Sequence, residues 1–379
     1  MRQEDAKPHE RLPHARTRAR LTARMAVCRA RGRPHTLSHL VTATCNGRCR
    51  TCLWRAGAAG TPEAAPAGAV RASGSPDGRE RGPRELDTAE VRWLYDEAGR
   101  AGMAQLVAWG GEPLLRQDLP ELLLAARRAG LFVTLITNGW HLGRRWPELR
   151  GAVDALILSV DDVGEAHDRL RGLPGLFARL ETFVAGSRGD PLRPTLLVNT
   201  VLSTLNKGAL RRVAEVARRW DAGLYFCPME AGELSAGEVG DRLAGLALGA
   251  GELRAAARLA LDLKDAGYPV LASRPWLELL RDDPALTAYT CRAPRARLTV
   301  GADGIVRDCM HVDRPPADVA ALRRAGGHLV DVFRSPDWLR MGAEAAGCTK
   351  CNNPDVIELS WLWDLRPEML GKVVELARR

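Results

Sequence analysis

The chain has 379 residues and a formal net charge of +9, with 46% hydrophobic and 27% charged residues. That length suits about two or three domains with ample core, and no run reaches the roughly 18 apolar residues a membrane span requires. Residues 1–35 carry ten Lys/Arg against three Asp/Glu, and the rest 45 against 43, so the body is nearly neutral and no nucleic-acid surface is expected. No apolar segment follows the leading charges, so they do not read as a secretory signal, and a cytoplasmic protein is expected.

Residues 1–35 read as a disordered Arg/His/Pro tail. From residue 36, apolar runs of strand length alternate with amphipathic stretches. Strands are predicted at 37–44, 104–109, 131–137, 155–160, 195–202 and 223–227. Between the first two lies 56–85, rich in Ala, Gly and Pro and nearly free of large apolar residues, which reads as a flexible insertion. Asp87 with Glu90 forms a capping-box pattern ended by Gly102, and Asp118 with Glu121 and then Gly130 repeats it. Leu210, Val213, Ala214, Ala217 and Trp220 share one helical face. The series predicts an α/β fold, a partial (β/α)6 TIM-like barrel over 36–250 with its ligands at the C-terminal strand ends. A helical connection follows over 251–290, with helices at 253–266 and 275–282. Residues 291–379 are expected to form a small C-terminal domain, with a hairpin turning on Ala302, Asp303 and Gly304 and a helix at 368–378.

Nine cysteines, an odd number in a long chain without a secretory signal, argue for metal ligands or redox thiols rather than disulfides. Cys45, Cys49 and Cys52 form C-x3-C-x2-C after the first strand. Three thiolates of one loop can hold three irons of a cubane 4Fe–4S cluster and leave the fourth open. A structural zinc site is the alternative, although it needs a fourth ligand and the nearest downstream histidine is His141. Trp109-Gly110-Gly111-Glu112-Pro113 ends the second strand, Thr137-Asn138-Gly139 the third, Ser159-Val160-Asp161 the fourth and Asn199-Thr200 the fifth, and Arg171 follows the fourth. This combination resembles the radical S-adenosylmethionine (SAM) superfamily over roughly 36–230. The resemblance implies that Cys45, Cys49 and Cys52 ligate a SAM-binding 4Fe–4S cluster and that Gly110, Gly111, Glu112 and Pro113 hold the methionine amino group. It also implies cofactor contacts from Asn138, Ser159, Arg171 and Asn199. One departure is Thr51, which stands before the third cysteine where the family usually has an aromatic residue.

Cys291 and Cys309, separated by C-x12-G-x4-C spacing, are followed by Cys348 and Cys351 as C-x2-C. This resembles the twitch domain, a shortened relative of the SPASM domain, and implies a second, fully ligated auxiliary 4Fe–4S cluster. A four-cysteine zinc ribbon is the alternative. By cysteine spacing the chain is similar to 2-deoxy-scyllo-inosamine dehydrogenase and related aminocyclitol and sugar enzymes. That resemblance implies a radical SAM oxidoreductase of natural-product (antibiotic) biosynthesis. Its 5′-deoxyadenosyl radical would take a hydrogen atom, and the auxiliary cluster would accept an electron as a secondary alcohol becomes a ketone. The expected partners are a polar small molecule, such as an aminocyclitol, sugar or nucleoside, and a flavodoxin- or ferredoxin-type electron donor, with no membrane. Asp161, Asp162, Glu230 and Arg292 are candidates for the base or for substrate contacts. Two other outcomes stay open. Cys227, ending the sixth strand, could return a hydrogen atom and make the enzyme an epimerase. The substrate could instead be a ribosomally made peptide, although the leading tail is short for a peptide-recognition domain.

Overall fold

The structure, a computed structural model, describes residues 14–52, 84–229, 243, 245–285, 289–307, 317–348, 351–369 and 371. The first element is a helix, α1 (His14–Ala30), where a disordered tail was expected. Ala and Arg are strong helix formers, and tertiary contacts fix this helix in place. Cys28 is buried and its thiol donates to Gly102 O at 3.0 Å. Arg24 donates to Gly130 O, and Arg29 to Trp363 O.

Six strand–helix units follow. They run β1 (Thr36–Thr42), α2 (Thr88–Arg100), β2 (Gln105–Gly110), α3 (Leu119–Arg128), β3 (Phe132–Thr137), α4 (Leu142–Leu149), β4 (Ala155–Ser159), α5 (Glu165–Arg171), α6 (Leu176–Gly186), β5 (Thr195–Leu202), α7 (Leu210–Arg219) and β6 (Gly223–Pro228). The six strands pair in parallel and in sequential order. Local chemistry sets the helix ends. Asp87 and Glu90 close the capping box reciprocally at 2.8 and 2.9 Å, and Gly102 takes φ +84° beyond the end of α2. Asp118, expected to cap α3, makes no side-chain cap bond. Its carboxylate goes instead to Arg116 at 2.7 Å and Thr88 Oγ1 at 2.6 Å, because a buried neighbouring guanidinium outcompetes a backbone N–H for it.

The strands show a two-residue period in burial. On β5, Leu196, Val198, Thr200 and Leu202 are buried against the helices, whereas Leu197, Asn199 and Val201 are only partly covered. The same alternation on β4 and β6 leaves Ile157, Ser159, Tyr225 and Cys227 on that second face. One face therefore carries the core and the other lines an open interior.

After β6 come α8 (Ala250–Asp265) and α9 (Arg274–Asp282), then α10 (Ala293–Ala296), β7 (Arg297–Val300), β8 (Ile305–Arg307), β9 (Ala317–Asp318), α11 (Val319–Arg324), α12 (Leu329–Arg334), α13 (Pro336–Ala345) and α14 (Pro354–Trp363). The predicted hairpin is present: β7 and β8 pair antiparallel, and Gly304 takes φ +81° at the turn. The described C-terminal strands join the barrel sheet. β7 pairs in parallel with β1, giving one sheet in the order β6-β5-β4-β3-β2-β1-β7-β8-β9. Helix α14 reaches both edges of the six-stranded array. Its N-cap Asn353 touches Cys227 on β6 at 3.3 Å, Asp355 pairs with Arg297 on β7, and Trp363 packs beside His35 ahead of β1. Most of the predicted 368–378 helix lies outside the described residues, as does most of the 56–85 segment.

Candidate active site

The site starts where β1 ends. Beyond Thr42 the chain keeps pairing with the end of β2: Gly111 N donates to Thr42 O and Glu112 N to Thr44 O, both at 2.8 Å. Two glycines permit this approach. A Cβ on Gly110 would lie 2.4 Å from Thr42 O, and one on Gly111 would lie 2.2 Å from Thr44 O. Gly110 also takes φ +140°, a conformation that favours glycine. The paired glycines thus seat the cysteine loop directly on β2. Glu85, at the end of the segment read as an insertion, adds a second anchor by accepting from Ala43 N at 2.7 Å and Thr42 Oγ1 at 2.9 Å.

Glu112 is buried at 1% exposure. One carboxylate oxygen accepts from Thr137 Oγ1 at 2.6 Å and Leu114 N at 3.0 Å, and the other accepts from Asn138 N at 2.8 Å. Burial pushes this carboxyl above its ordinary value, against the pull of those three bonds. Asn138 extends the tie, because its Nδ2 donates to Asn46 Oδ1 at 2.9 Å inside the cysteine loop. Among the described residues the Nδ2 of Asn46, itself buried, finds no partner.

Cys45 and Cys49 flank Gly47, whose missing Cβ would lie 3.6 and 3.5 Å from the two sulfurs. The carbonyls at the end of α5, which a helix terminus leaves unpaired, hold the loop from the other side. Arg48 N donates to Arg171 O at 2.9 Å, and Arg50 N to Leu170 O at 3.0 Å. Burial pushes the Cys45 thiol up to about 12 and also raises Cys49. Cys49, Glu112 and Cys52 add to the rise at Cys45. Thiols buried like Cys45 and Cys49 ionise readily only when cations sit beside them. No three described His, Cys, Asp or Glu side chains converge as a single ion would need. A tetrahedral ion would draw its sulfurs within about 4 Å of one another, whereas a cubane gives each cysteine its own iron. The donor set fits the cluster.

Along the interior face, Ser159 of β4, Asn199 of β5 and Tyr225 of β6 stand side by side in register. Ser159 and Asn199 therefore lie on the face that lines the open interior. Arg171 lies beside Cys49, with its Nη1 3.8 Å from that sulfur, and its Nε is 2.7 Å from Asp161 Oδ2.

The proposed bases are placed otherwise. Asp161 is 2% exposed and divides its carboxylate between Arg171 and Val201 N. Asp162 is held by both ends of the Arg212 guanidinium, at 2.9 and 3.0 Å. Arg292 pairs with Asp364 at 3.0 Å and donates its backbone N to Ser360 Oγ at 2.8 Å. Asp161 and Asp162 are thus buried carboxylates held by guanidinium partners, and the Arg292 pair is more exposed. Glu230 and Cys309 lie outside the described residues. Cys227 faces the interior, with its sulfur 3.4 Å from Asn199 Oδ1 and 3.3 Å from Asn353 Oδ1.

The second cysteine set gathers around a residue that the sequence reading passed over. The Tyr289 hydroxyl accepts from Cys351 N at 3.2 Å, and Cys291, Cys348 and Cys351 all raise its pKa, behind burial. Cys291 and Cys351 are buried and Cys348 is partly exposed. All three bear electrostatically on Tyr289, but among the described residues no three such side chains converge as a single ion would need. Asn353, two residues after Cys351, brings the set to the C-terminal end of β6, the end of the barrel that also carries the first set. The Y-x-C spacing of Tyr289 and Cys291 was a visible signal for Tyr289; nothing local marked Glu85.

Residues 40–184 match the family model described as the Radical SAM superfamily. The chain is 38% identical over 141 residues to the PqqA peptide cyclase of Xanthomonas axonopodis pv. citri (strain 306), covering 36% of this chain and 37% of that protein. It is 35% identical over 144 residues to the AdoMet-dependent heme synthase of Methanosarcina barkeri (strain Fusaro / DSM 804), covering 37% of this chain and 41% of that protein. The match thus spans about two fifths of the length of these curated relatives. The solved structure of Streptococcus suis SuiB bound to S-adenosylmethionine superposes with a TM-score of 0.59 at 13% identity, over 85% of this chain and 71% of that one. SuiB bound to precursor peptide SuiA gives 0.58 at 13% identity, over 87% and 74%. The likeness to SuiB shows a shared fold across most of the chain. The stretch 40–184 that matches the Radical SAM superfamily model is the one that carries the three-cysteine loop and the double-glycine bend. A 4Fe–4S cluster and SAM are the cofactors of that class. Among the described residues no helix is long and apolar enough to cross a membrane.

Proposed function

We propose that this protein is a radical SAM enzyme that modifies a ribosomally made peptide. The observation carrying this reading is the 38% identity to a peptide cyclase over the part of the chain that bears the cysteine loop and the glycine bend. The shared fold with SuiB agrees with it. Cys45, Cys49 and Cys52 hold the SAM-binding cluster, and Gly110, Gly111, Glu112 and Pro113 seat the methionine end. Asn138, Ser159, Arg171 and Asn199 contact the rest of the cofactor. Cys291, Cys309, Cys348 and Cys351 hold an auxiliary 4Fe–4S cluster. When bound, SAM and its cluster supply a 5′-deoxyadenosyl radical that removes a substrate hydrogen atom.

The chain orients that event. The raised carboxyl of Glu112 sits behind the cysteine loop, where an incoming cation relieves its buried charge. The interior face presents Ser159, Asn199 and Tyr225 as a polar row beside the apolar Ile157 and Leu197. A flavodoxin- or ferredoxin-type protein delivers the electron.

Oxidation of an aminocyclitol or sugar alcohol rests on cysteine spacing alone; of its candidate bases Asp161 and Asp162 are both ion-paired, and Glu230 lies outside the described residues. A second peptide outcome has a specific observation behind it. Cys227 faces the interior one row above Asn199, placed to return a thiol hydrogen to a substrate radical and so invert a centre. The sulfur radical left on Cys227 would be reset by one electron and one proton, the electron coming from the external donor.

The test is anaerobic turnover with short peptides encoded beside the gene, followed by mass analysis. A peptide-dependent rise in 5′-deoxyadenosine supports the reading, with loss of two hydrogens on cross-linking or gain of one deuterium from heavy water on inversion. A ketone formed from an aminocyclitol, with every peptide inert, overturns it. Cys227→Ala separates the two peptide outcomes: cross-linking survives it, and solvent deuterium uptake does not.

A further inference from the structure

We propose that a basic rim around Cys49, built from Arg48, Arg144 and Arg179, is the docking surface for an acidic one-electron carrier protein. The inference rests on the reading of Cys45, Cys49 and Cys52 as cluster ligands and adds where the electron enters.

The rim begins in the cysteine loop. Arg48 and Arg50 are exposed, and Cys49 between them is partly exposed. Their backbone N–H groups are held at 2.9 and 3.0 Å by Arg171 O and Leu170 O, so both side chains leave a fixed backbone. The neighbouring elements extend the charge. Asn138 ties the end of β3 to Asn46 of the loop at 2.9 Å, and Gly139 abuts Leu180 of α6, with no room for a Cβ. These contacts bring the first turns of α4 and α6 to the loop, with Arg144 and Arg179 exposed on them. Arg179 lies over the Trp140 ring, 4.3 Å from its centre. His141 is held below its ordinary value by burial and then by the charges of Arg144, Arg145 and Arg179.

The acidic side chains of α4, α5 and α6 are engaged elsewhere. Glu148 pairs with Arg145, Glu165 with Arg169 and Glu181 with Arg219, and Asp168 accepts from Gly175 N and Phe177 N. Among the described residues Arg48, Arg144 and Arg179 have no carboxylate partner. A patch of one sign steers an oppositely charged protein onto it and fixes its orientation. Arg and Trp are favoured anchors of such contacts, and electron-transfer encounters need only a small interface. The rim stands on the α5 side of the loop, whereas a substrate must reach the interior face of Ser159 and Asn199. Carrier and substrate therefore approach from different sides. The carrier loses one electron, and the cluster beside Cys49 gains it.

The experiment uses the anaerobically reconstituted full chain with a reduced flavodoxin as the carrier. A triple variant, Arg48→Ser with Arg144→Ser and Arg179→Ser, is compared with Arg324→Ser on α11, an exposed arginine outside the rim. Iron content, flavodoxin affinity at low and high salt, and SAM cleavage driven by flavodoxin or by dithionite are measured. The triple variant is expected to keep its iron and its dithionite-driven cleavage. It should bind flavodoxin about tenfold more weakly at low salt, lose most of the salt dependence and lose flavodoxin-driven cleavage in proportion. Unchanged affinity in the iron-loaded triple variant overturns the proposal and leaves the cluster reading standing, and an equal fall in Arg324→Ser overturns it too. Retained flavodoxin affinity with lost affinity for an acidic peptide gives the rim to the peptide and likewise overturns it. If the triple variant loses iron, Arg144→Ser with Arg179→Ser, both outside the cysteine loop, decides, and unchanged affinity there overturns the proposal. If the unaltered chain takes up no iron, the cluster reading has failed and the inference with it.

Discussion

Cys227 and Asn353 lie 3.3 Å apart, sulfur to amide oxygen, although 126 residues separate them in the chain. One ends the sixth strand of the barrel, and the other caps α14 immediately after the second cysteine pair. The contact puts a thiol of the open interior at the boundary of the second cysteine set. Asn353 also accepts from Asp355 N at 3.2 Å, so one amide oxygen serves both the helix and the interface.

Asn353→Ala removes the cap and the Cys227 contact together. Loss of an N-cap side chain costs about 1 kcal/mol. A thermal melt should show a fall of a few degrees, with iron in the first set unchanged. Asn353→Asp, which keeps the cap, should recover most of the loss.

Gly111→Ala would force a methyl group to within 2.2 Å of Thr44 O, a backbone atom that cannot swing aside. The cysteine loop must then lift off β2. Overpacking of this kind costs about 1–3 kcal/mol. The distinguishing result is in the metal: iron bound by Cys45, Cys49 and Cys52 should fall sharply after reconstitution, while the second set keeps its share.

Arg171→Gln should be far more damaging than Arg169→Ala. Arg171 and Asp161 are 13% and 3% exposed, and the variant leaves a buried carboxylate without its charge partner, costing about 3–5 kcal/mol. Arg169 and Glu165 are 71% and 91% exposed, and pairs of that kind contribute roughly 0–1 kcal/mol. Urea titrations of the two variants would show the contrast directly.

Burial holds three histidines neutral: His35 is pushed down to about 4, and His39 and His167 to about 3. In the unfolded chain they titrate near 6.5, so below that pH the unfolded state binds more protons and stability falls as pH falls. Above it, the contribution is complete. The expected loss totals about 1.4 kcal/mol for each histidine between about pH 7.5 and 5.5, measurable by denaturant unfolding, and steepens toward about 1.4 kcal/mol per pH unit below that. His39→Gln, which can still meet Tyr95 Oη, should flatten the slope by one proton.

Much of this architecture is local and was legible for that reason. The six strands announce themselves as short apolar runs, the capping box at Asp87 and Glu90 depends on neighbours three residues apart, and the three-cysteine loop is one continuous segment. The double glycine was visible as a motif, but its mechanical reason, two carbonyls of β1's continuation, appears only in three dimensions. Charge pairing was not legible at all. Asp162 looked like a base because its partner Arg212 lies 50 residues away, and Asp161 looked free because Arg171 reaches it only when α5 folds back. The helix at 14–30 was missed because an Arg-rich segment has little apolar stripe of its own. It is held by single contacts from Arg24, Cys28 and Arg29 to backbone carbonyls.

Because β7 runs beside β1 while Asn353 grips β6, the polypeptide after residue 289 acts as a hoop around both lips of the interior. A bulky guest that spread those lips would tug on Tyr289 and the thiols beside it. Guest entry would thus load the β7–β1 pairing and the Asn353–Cys227 contact together.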